Sequence, residues 1–307
     1  MIFTINSAKL RNLAAHPLLY TAVMTKVLAA VLALPLAACV IGSSTQPAGG
    51  GDDGTGGMTG GSDMGGSDTG GGTGGGISGH ITADTSWSGS VNITGSVTID
   101  PGVTVTVPAG STVNVVGTAG ITVNGTLALA GATGSIATIQ PASGAAFQAI
   151  DIATGGSVTA TFASVHGAEI QLDGGSLTMS DSKVWGAPGD LLVMNGGTIN
   201  VTYSNIGDAT TDTTHCNMHF GGTTPNMITI EHNNITSRPY GLMFYSGSNA
   251  DFKNNNWTNM IDIEPGVSGV TGDASGSYFA KGQPAGTTGI TYGNLSTTAL
   301  PDAGPRS

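Results

Sequence analysis

Residues 170 to 184 read Ile-Gln-Leu-Asp-Gly-Gly-Ser-Leu-Thr-Met-Ser-Asp-Ser-Lys-Val, and this stretch holds one complete unit of the pattern that decides the fold. Apolar residues alternate with polar ones on both sides of a Gly-Gly pair, and the hydrophobic residue Val184 opens a further short segment. Alternation by two is the period of a β-strand, in which successive side chains point to opposite faces. The unit therefore predicts three short strands joined by tight corners, and no helix.

The unit recurs along the second half of the chain, where its anchoring hydrophobic residues stand 19, 22, 29 and 22 positions apart. These anchors are Val165, Val184, Ile206, Ile235 and Trp257. Self-similarity of about this period marks a solenoid, whose units bury their apolar faces only by stacking on one another. Three short strands per turn of roughly 20 residues predict a parallel β-helix, an all-β fold with coils about 4.8 Å apart.

The first half of the predicted helix, from Val91 to Leu129, has a tighter alternation punctuated by Gly, Pro and Asn. Hairpin turns every 8 to 12 residues or so would favour a sandwich or a barrel, and this segment alone has such spacing. We interpret it as shorter-sided first coils. Residues 81 to 87 are expected to cap the first coil and residues 265 to 289 to plug the last, because an uncovered coil is an open sheet edge.

Asparagines occupy one corner position of the later units, at Asn205, Asn234 and Asn256. Together with the coil period, they make residues 79 to 290 resemble the right-handed parallel β-helix of the pectin-lyase-like superfamily, in which stacked asparagines hydrogen-bond from coil to coil. The resemblance implies a right-handed solenoid of about seven to eight coils with these three residues as a structural ladder. It implies no particular activity, because one fold hosts many functions.

The N-terminal segment has the composition of a secretory signal. Residues 1 to 38 contain three cations and no acid, and their apolar run is too short to span a membrane. The ending Leu36-Ala37-Ala38-Cys39 resembles a bacterial lipobox, which implies cleavage before Cys39 and lipid, including an acyl chain such as palmitate, on the new terminus. Since Val40 is not Asp, the resemblance implies the outer membrane, on its periplasmic face or at the cell surface. Met24 would by itself open a well-proportioned signal of this kind.

Residues 39 to 78 follow as a glycine-rich linker. The stretch 42 to 76 carries 17 glycines and too few apolar side chains to bury a core, which predicts a disordered tether. Its r.m.s. reach is roughly 30 to 35 Å. Gly-Gly-Ser-Asp phrases within it suggest calcium binding, but their period of five residues differs from that of calcium-binding repeats. At the other end, residues 291 to 307 form a C-terminal tail, of which 301 to 307 are expected to be disordered.

Charge and cysteine content narrow the partners. The net charge is −11, and removal of residues 1 to 38 takes away three cations, so that 5 basic and 19 acidic residues leave −14. This acidity excludes nucleic acid as a partner, and it disfavours polyanionic glycans unless calcium bridges them. With Cys39 lipidated, Cys216 is the one remaining cysteine, so no intrachain disulfide is expected.

Aligning the units on their glycine pairs places several side chains on one outward sheet face. The predicted ligand face consists of Gln171, Val193, His215, Asn217, His219, Met243 and Tyr245. A long loop beside it carries Asp208 and Asp212. In the resembled superfamily, ligands lie along such a face, so we expect an extended ligand such as a glycan, or a surface protein, to bind there. The alternative is a solvated wall with scattered apolar residues.

The sequence His215-Cys216-Asn217-Met218-His219 has the residue types of a metal site. In an extended strand the two histidines lie ~13 Å apart, which is beyond the reach of one ion. Cys216 would share the inward face with Met218 and be buried in the core. We therefore predict no metal ion and no cofactor.

The catalytic residues of related folds are not recognisable. Pectate lyases pair a calcium-binding aspartate cluster with an arginine base, and polygalacturonases use closely set aspartates; neither set is found between residues 79 and 290. The sequence thus favours a membrane-anchored surface lipoprotein whose β-helix is a non-catalytic binding, adhesion or structural module. The alternative is a carbohydrate-active enzyme, a lyase or hydrolase, in which the loop brings Asp208, Asp212 and His215 together as acid and base.

Overall fold

The computed structural model describes residues 75–207, 213–222, 226–264 and 269–307. In these ranges the chain is an all-β parallel solenoid of about nine turns, without helix. The predicted fold class is confirmed, and the number of turns exceeds the expected seven to eight. Cys39, the predicted signal, most of the linker, Asp208 and Asp212 lie outside the described residues.

The strands are short, and each turn of the solenoid contributes one segment to each of three parallel sheets. In chain order the strands are β1 (Ile77–Ile81), β2 (Thr85–Ser86), β3 (Ser90–Ile99), β4 (Thr104–Pro108), β5 (Thr112–Val115), β6 (Ile121–Val123), β7 (Thr126–Ala130), β8 (Ala137–Pro141), β9 (Ala149–Ala153), β10 (Ser157–Thr161), β11 (Ala163–His166), β12 (Glu169–Ser180), β13 (Lys183–Trp185), β14 (Leu192–Thr202), β15 (Asn205–Ile206), β16 (Cys216–Phe220), β17 (Asn226–Glu231), β18 (Asn234–Ile235), β19 (Tyr240–Phe244), β20 (Ala250–Asp251), β21 (Asn256–Trp257), β22 (Ile261–Ile263), β23 (Gly272–Asp273), β24 (Tyr278–Phe279) and β25 (Ile290–Thr291).

Three long strands bend at a corner and so belong to two sheets each. Sheet 1 runs β1, β3, β6, β9, β12, β14, β16, β19, β22. Sheet 2 runs β2, β4, β7, β10, β12, β14, β17, β20, β23, β25. Sheet 3 runs β3, β5, β8, β11, β13, β15, β18, β21, β24. Parts of the segments expected to cap and plug the solenoid pair as strands β2, β23 and β24.

The core is a stack of inward side chains in register. Val165, Val184, Ile206, Ile235 and Trp257 are paired coil by coil on sheet 3, as the repeat predicts. Each of them is at most 1 % exposed. Full burial of one such side chain stabilises the fold by about 1.5–3 kcal/mol. No single turn could bury these residues alone, so the fold depends on stacking.

The Gly-Gly pairs lie at the corner between sheets 1 and 2. In two of the pairs the first residue has a left-handed backbone, Gly155 (φ 86°) and Gly174 (φ 92°). The second packs against the backbone of the preceding coil: a Cβ on Gly156 would collide with the carbonyl of Val123. Both demands select glycine, for different reasons.

A buried row of polar side chains runs along sheet 3, one position before the predicted asparagine ladder. Its members are Ser182, Ser204, Asn233, Asn255 and Ser277, each at most 2 % exposed. Each side-chain oxygen accepts a hydrogen bond from the backbone N–H of the preceding coil, at 2.8 to 3.1 Å. These bonds satisfy N–H groups at a corner where no strand partner is present.

The predicted ladder also exists, as a second row on the outer side of sheet 3. Asn234 donates from Nδ2 to Oδ1 of Asn205 at 3.0 Å, and Asn256 donates likewise to Asn234 at 2.9 Å. The asparagine row predicted from sequence is therefore hydrogen-bonded as expected. The buried row is a separate one, formed by the residues one position earlier.

The C-terminal residues lie against this outer row. Leu300 donates its N–H to Oδ1 of Asn256 at 2.7 Å, and Asn234 donates to the carbonyl of Ala303 at 3.2 Å. The guanidinium of Arg306 makes two bonds of 2.7 Å to the carboxylate of Asp181. The expectation that residues 301 to 307 are disordered was wrong, because the asparagine row supplies partners for an extended backbone. Nowhere in the described ranges is there a helix with the length and hydrophobicity needed to cross a bilayer.

Candidate functional site

The outward row predicted for sheet 1 is in register. Gln171 pairs with Val193, Val193 with His219, and His219 with Met243. The alignment on glycine pairs therefore placed these residues correctly relative to one another.

Most of this face is nevertheless covered. Val193, His219 and Met243 are 9 %, 6 % and 3 % exposed, whereas Tyr245 remains 46 % exposed. Solvent reaches the predicted face chiefly at Gln171, His215 and Tyr245, and ligand binding there stays a prediction.

Asn217 shows how the covering segments are held. Its Nδ2 donates to the carbonyls of Ile206 and Thr236, both at 3.0 Å, and its Oδ1 accepts from Nδ2 of Asn259. The side chain is fully buried between sheets 3 and 1. It ties three successive connections together, so its role is structural rather than ligand binding.

Under this cover, three chemically different side chains converge. Nδ1 of His219 lies 3.1 Å from Oδ2 of Asp190, and Oδ1 of Asp190 accepts the backbone N–H of Cys216 at 2.7 Å. The thiol of Cys216 hydrogen-bonds to the same carboxylate. Potential ligand atoms of the three residues all lie within 4.8 Å of one another. We call Asp190, Cys216 and His219 the buried cluster.

The predicted burial of Cys216 is confirmed, but the face to which its side chain points differs from the prediction. Strict alternation put its side chain in the core and that of His219 on the opposite face. In the structure the thiol is beside His219, because Cys216 is the first residue of β16, where Asp190 accepts its backbone N–H. The inference that His215 and His219 do not share an ion is unaffected, because His215 is not a member of the cluster.

Two carboxylates near His219 have pKa values displaced in opposite directions. Burial, with the charges of Asp190 and Asp151 added, raises the pKa of Glu169 to about 7. Burial also opposes ionisation of Asp190, but hydrogen bonds from His219 and Cys216 outweigh it and hold the pKa of Asp190 below its usual value. Such a pair can hold one protonated and one ionised carboxyl near neutral pH, as acid–base catalysis requires.

Sequence reasoning missed both Glu169 and Asp190. Asp190 ends a loop, residues 186 to 190, that Arg238 fixes by donating to the carbonyls of Ala187 and Gly189. The sequence does show this loop as an insertion between the anchor Val184 and the next strand. It gives no sign of the contact between Gly189 and Arg238, which lie 49 positions apart.

A second candidate site is an open groove on the outer side of sheet 3. Its volume is ≈ 480 Å³. It is lined by Lys183, Asn205, Gly207, Asn234, Thr236, Ser237, Asn256, Thr258 and Ala299. The outer asparagine row, assigned only a structural role from sequence, thus forms its floor, and the tail lies across part of that floor through Leu300 and Ala303. We call it the amide groove.

No family model, curated protein or solved structure matches the chain. The resemblance to pectin-lyase-like proteins therefore rests on the coil pattern and the asparagine row alone.

Proposed function

We propose that the protein is a membrane-anchored surface lipoprotein whose solenoid is a non-catalytic binding module for an extended, neutral glycan. The observation that supports it best is the amide groove. Its floor repeats along the solenoid axis, with one asparagine per coil and coils about 4.8 Å apart. A repeating floor suits a polymer better than a small compact ligand.

The lining chemistry supports a neutral sugar. The carboxamides of Asn234 and Asn256 already bond along the row and to the tail. The hydroxyls of Thr236, Ser237 and Thr258 line the same groove and offer both donors and acceptors, which sugar hydroxyls need. The Oγ1 atoms of Thr236 and Thr258 lie 2.8 Å apart along the same wall. Among the described residues that line the groove, Lys183 supplies the one charge, and the chain carries −11 overall. A polyanionic glycan would therefore be repelled at long range.

The support for membrane anchoring comes from the sequence. The lipobox resemblance at Cys39 provides the attachment, and the glycine-rich linker provides roughly 30 to 35 Å of reach for the solenoid. A lipid anchor with a flexible tether suits a module that searches a nearby surface, since tethering raises the effective concentration of the partner.

The test uses a soluble, unlipidated chain made with Cys39→Ser and no signal. Retention on a panel of immobilised neutral and acidic polysaccharides is measured for the wild type, for Thr258→Tyr, which fills the groove, and for Thr178→Tyr on the exposed face of sheet 2. We expect retention on a neutral glycan that Thr258→Tyr reduces at least tenfold and Thr178→Tyr leaves unchanged. Equal retention of the two variants would show that the glycan binds outside the amide groove. If the wild type is retained on none of the polysaccharides, the glycan proposal is overturned.

A carbohydrate-active enzyme is the second candidate, favoured by one observation: the opposed pKa values of Glu169 and Asp190. In this reading Glu169 is the general acid and Asp190, with His219, the base or stabilising anion. The same incubations are assayed for new reducing or unsaturated ends. Ends that disappear in Glu169→Gln and Asp190→Asn, but persist in Thr178→Tyr, would replace the non-catalytic proposal.

A further inference from the structure

We propose that the buried cluster is a binding site for one thiophilic divalent metal ion, Zn²⁺ foremost, ligated by Asp190, Cys216 and His219. The three residues are 7 %, 0 % and 6 % exposed. They supply a carboxylate oxygen, a sulfur and an imidazole nitrogen, which are the three donor types of protein zinc sites. This proposal is independent of the glycan proposal, which concerns a different sheet face.

The spacing of the donors fits a single ion. Zinc bonds of 2.0–2.3 Å in a tetrahedron separate neighbouring ligand atoms by roughly 3.3–3.8 Å. The potential ligand atoms here already lie within 4.8 Å of one another. Small rotations of the side chains therefore suffice, without movement of the strands.

The donor set also selects the metal. Sulfur and imidazole ligands suit zinc and other late transition metals, whereas calcium and magnesium prefer oxygen donors. Only Asp190 supplies oxygen among the three, so calcium, considered from the linker sequence, does not fit this site.

The ligands are pre-organised by the fold. Asp190 is positioned by the backbone N–H of Cys216, and its loop is fixed by Arg238 through Ala187 and Gly189. Cys216 and His219 stand on one strand, β16, which pairs with β14 and β19. Rigid ligand positions reduce the ordering cost of metal binding.

Binding has a defined proton balance. The ion takes the sulfur of Cys216 as thiolate, and the thiol proton is released to solvent. It takes a lone pair from a neutral His219 ring and a lone pair from the ionised carboxylate of Asp190. Three protein ligands leave one position of a tetrahedron for water or another donor, and the ring of Tyr245 lies beside that of His219, with centroids 5.4 Å apart.

The experiment uses the soluble Cys39→Ser chain, stripped with a chelator and titrated with Co²⁺ and then Zn²⁺. We expect one equivalent of Co²⁺, a thiolate-to-cobalt charge-transfer band in the near ultraviolet, and displacement of the cobalt by Zn²⁺. Cys216→Ser, which preserves the volume, should abolish that band, and His219→Gln should weaken Zn²⁺ binding by more than about tenfold. His215→Ala, a nearby histidine outside the cluster, should bind as the wild type does.

Circular dichroism and the Tm of each metal-free variant establish that it is folded. Failure of the folded wild type to bind Co²⁺ or Zn²⁺ would overturn the proposal. Undiminished binding by folded Cys216→Ser and His219→Gln, or loss of binding in His215→Ala, would overturn the assigned ligands. If Cys216→Ser alone fails to fold, the His219→Gln and His215→Ala pair decides.

Discussion

The side-chain oxygen of Asn255 accepts a hydrogen bond from the backbone N–H of Asn233, 2.8 Å away on the preceding coil. Asn255 also donates from Nδ2 to the carbonyls of Ile230 and Phe252, at 2.6 and 2.7 Å. One fully buried amide thus satisfies three backbone groups at a corner where the sheet ladder is interrupted.

Asn255→Ala should therefore destabilise the solenoid strongly. It leaves an N–H and two carbonyls buried without this partner, and each such group costs about 1–3 kcal/mol. We expect a loss of about 3–5 kcal/mol in the free energy of unfolding, measured by urea denaturation. Asn200→Ala, the same substitution at an exposed position of sheet 2, should change it by no more than about 0.5 kcal/mol. Similar losses in the two variants would contradict the structural role of the buried row.

The two asparagine rows show how much the alternation of inward and outward side chains predicts from sequence. The anchor Ile235 points inward, and a residue two positions earlier on an extended chain shares its face. Asn233 is therefore the inward member of its Asn-Asn pair and Asn234 the outward one. Applied to each unit, this rule also finds Ser182 and Ser204, so the buried row was predictable. The docking of the tail on the outer row was not, since nothing in residues 300 to 306 specifies that contact.

The Gly-Gly corner predicts a second contrast. A Cβ at Gly156 would collide with the carbonyl of Val123 on the preceding coil, whereas a Cβ at Gly221 meets nothing within 4 Å. Neither residue has a positive φ, so the comparison isolates steric conflict. Gly156→Ala should cost at least about 2 kcal/mol by thermal unfolding, and Gly221→Ala should be neutral or slightly stabilising. Equal Tm values for Gly156→Ala and Gly221→Ala would show that the backbone at this corner accommodates the added methyl group.

The sequence singled out Cys216 and His219 as residue types of a metal site, but the third member of the buried cluster was beyond sequence reasoning. Asp190 lies 26 and 29 positions before them, and only the stacking of coils brings the three together. Strand parity also misassigned Cys216, because the alternation rule holds within a regular strand and fails at its first residue. Insertions between units, such as residues 186 to 190, are the places where this rule gives least information.

Glu169 should make stability fall with rising pH in the metal-free protein. Its pKa is raised by burial from 4.5 to about 7, so the unfolded chain releases this proton first. Between about pH 4.5 and pH 7, folding then becomes progressively less favourable, by up to about 3 kcal/mol. Glu169→Gln should match the wild type near pH 4 and exceed its Tm at pH 8, with chelator present throughout. Parallel Tm curves for the two proteins between these pH values would contradict the assignment.

The salt bridge between Arg306 and Asp181 should hold the tail against the solenoid in a pH-dependent way. The hydrogen bond from Arg306 outweighs burial and lowers the pKa of Asp181 below its usual 3.8. Because that pKa is depressed by folding, the bridge contributes fully above pH 3.8 and is lost as the pH falls through the lowered value. The N–H of Gly304, bonded to the carbonyl of His232 at 2.8 Å, reports tail docking by hydrogen exchange. Arg306→Gln should remove its protection at neutral pH, as acid does in the wild type, while Lys281→Gln, a matched change away from the tail, should leave it intact. If Gly304 keeps its protection in Arg306→Gln, the asparagine row alone docks the tail, and the Asp181 carboxylate has no part in it.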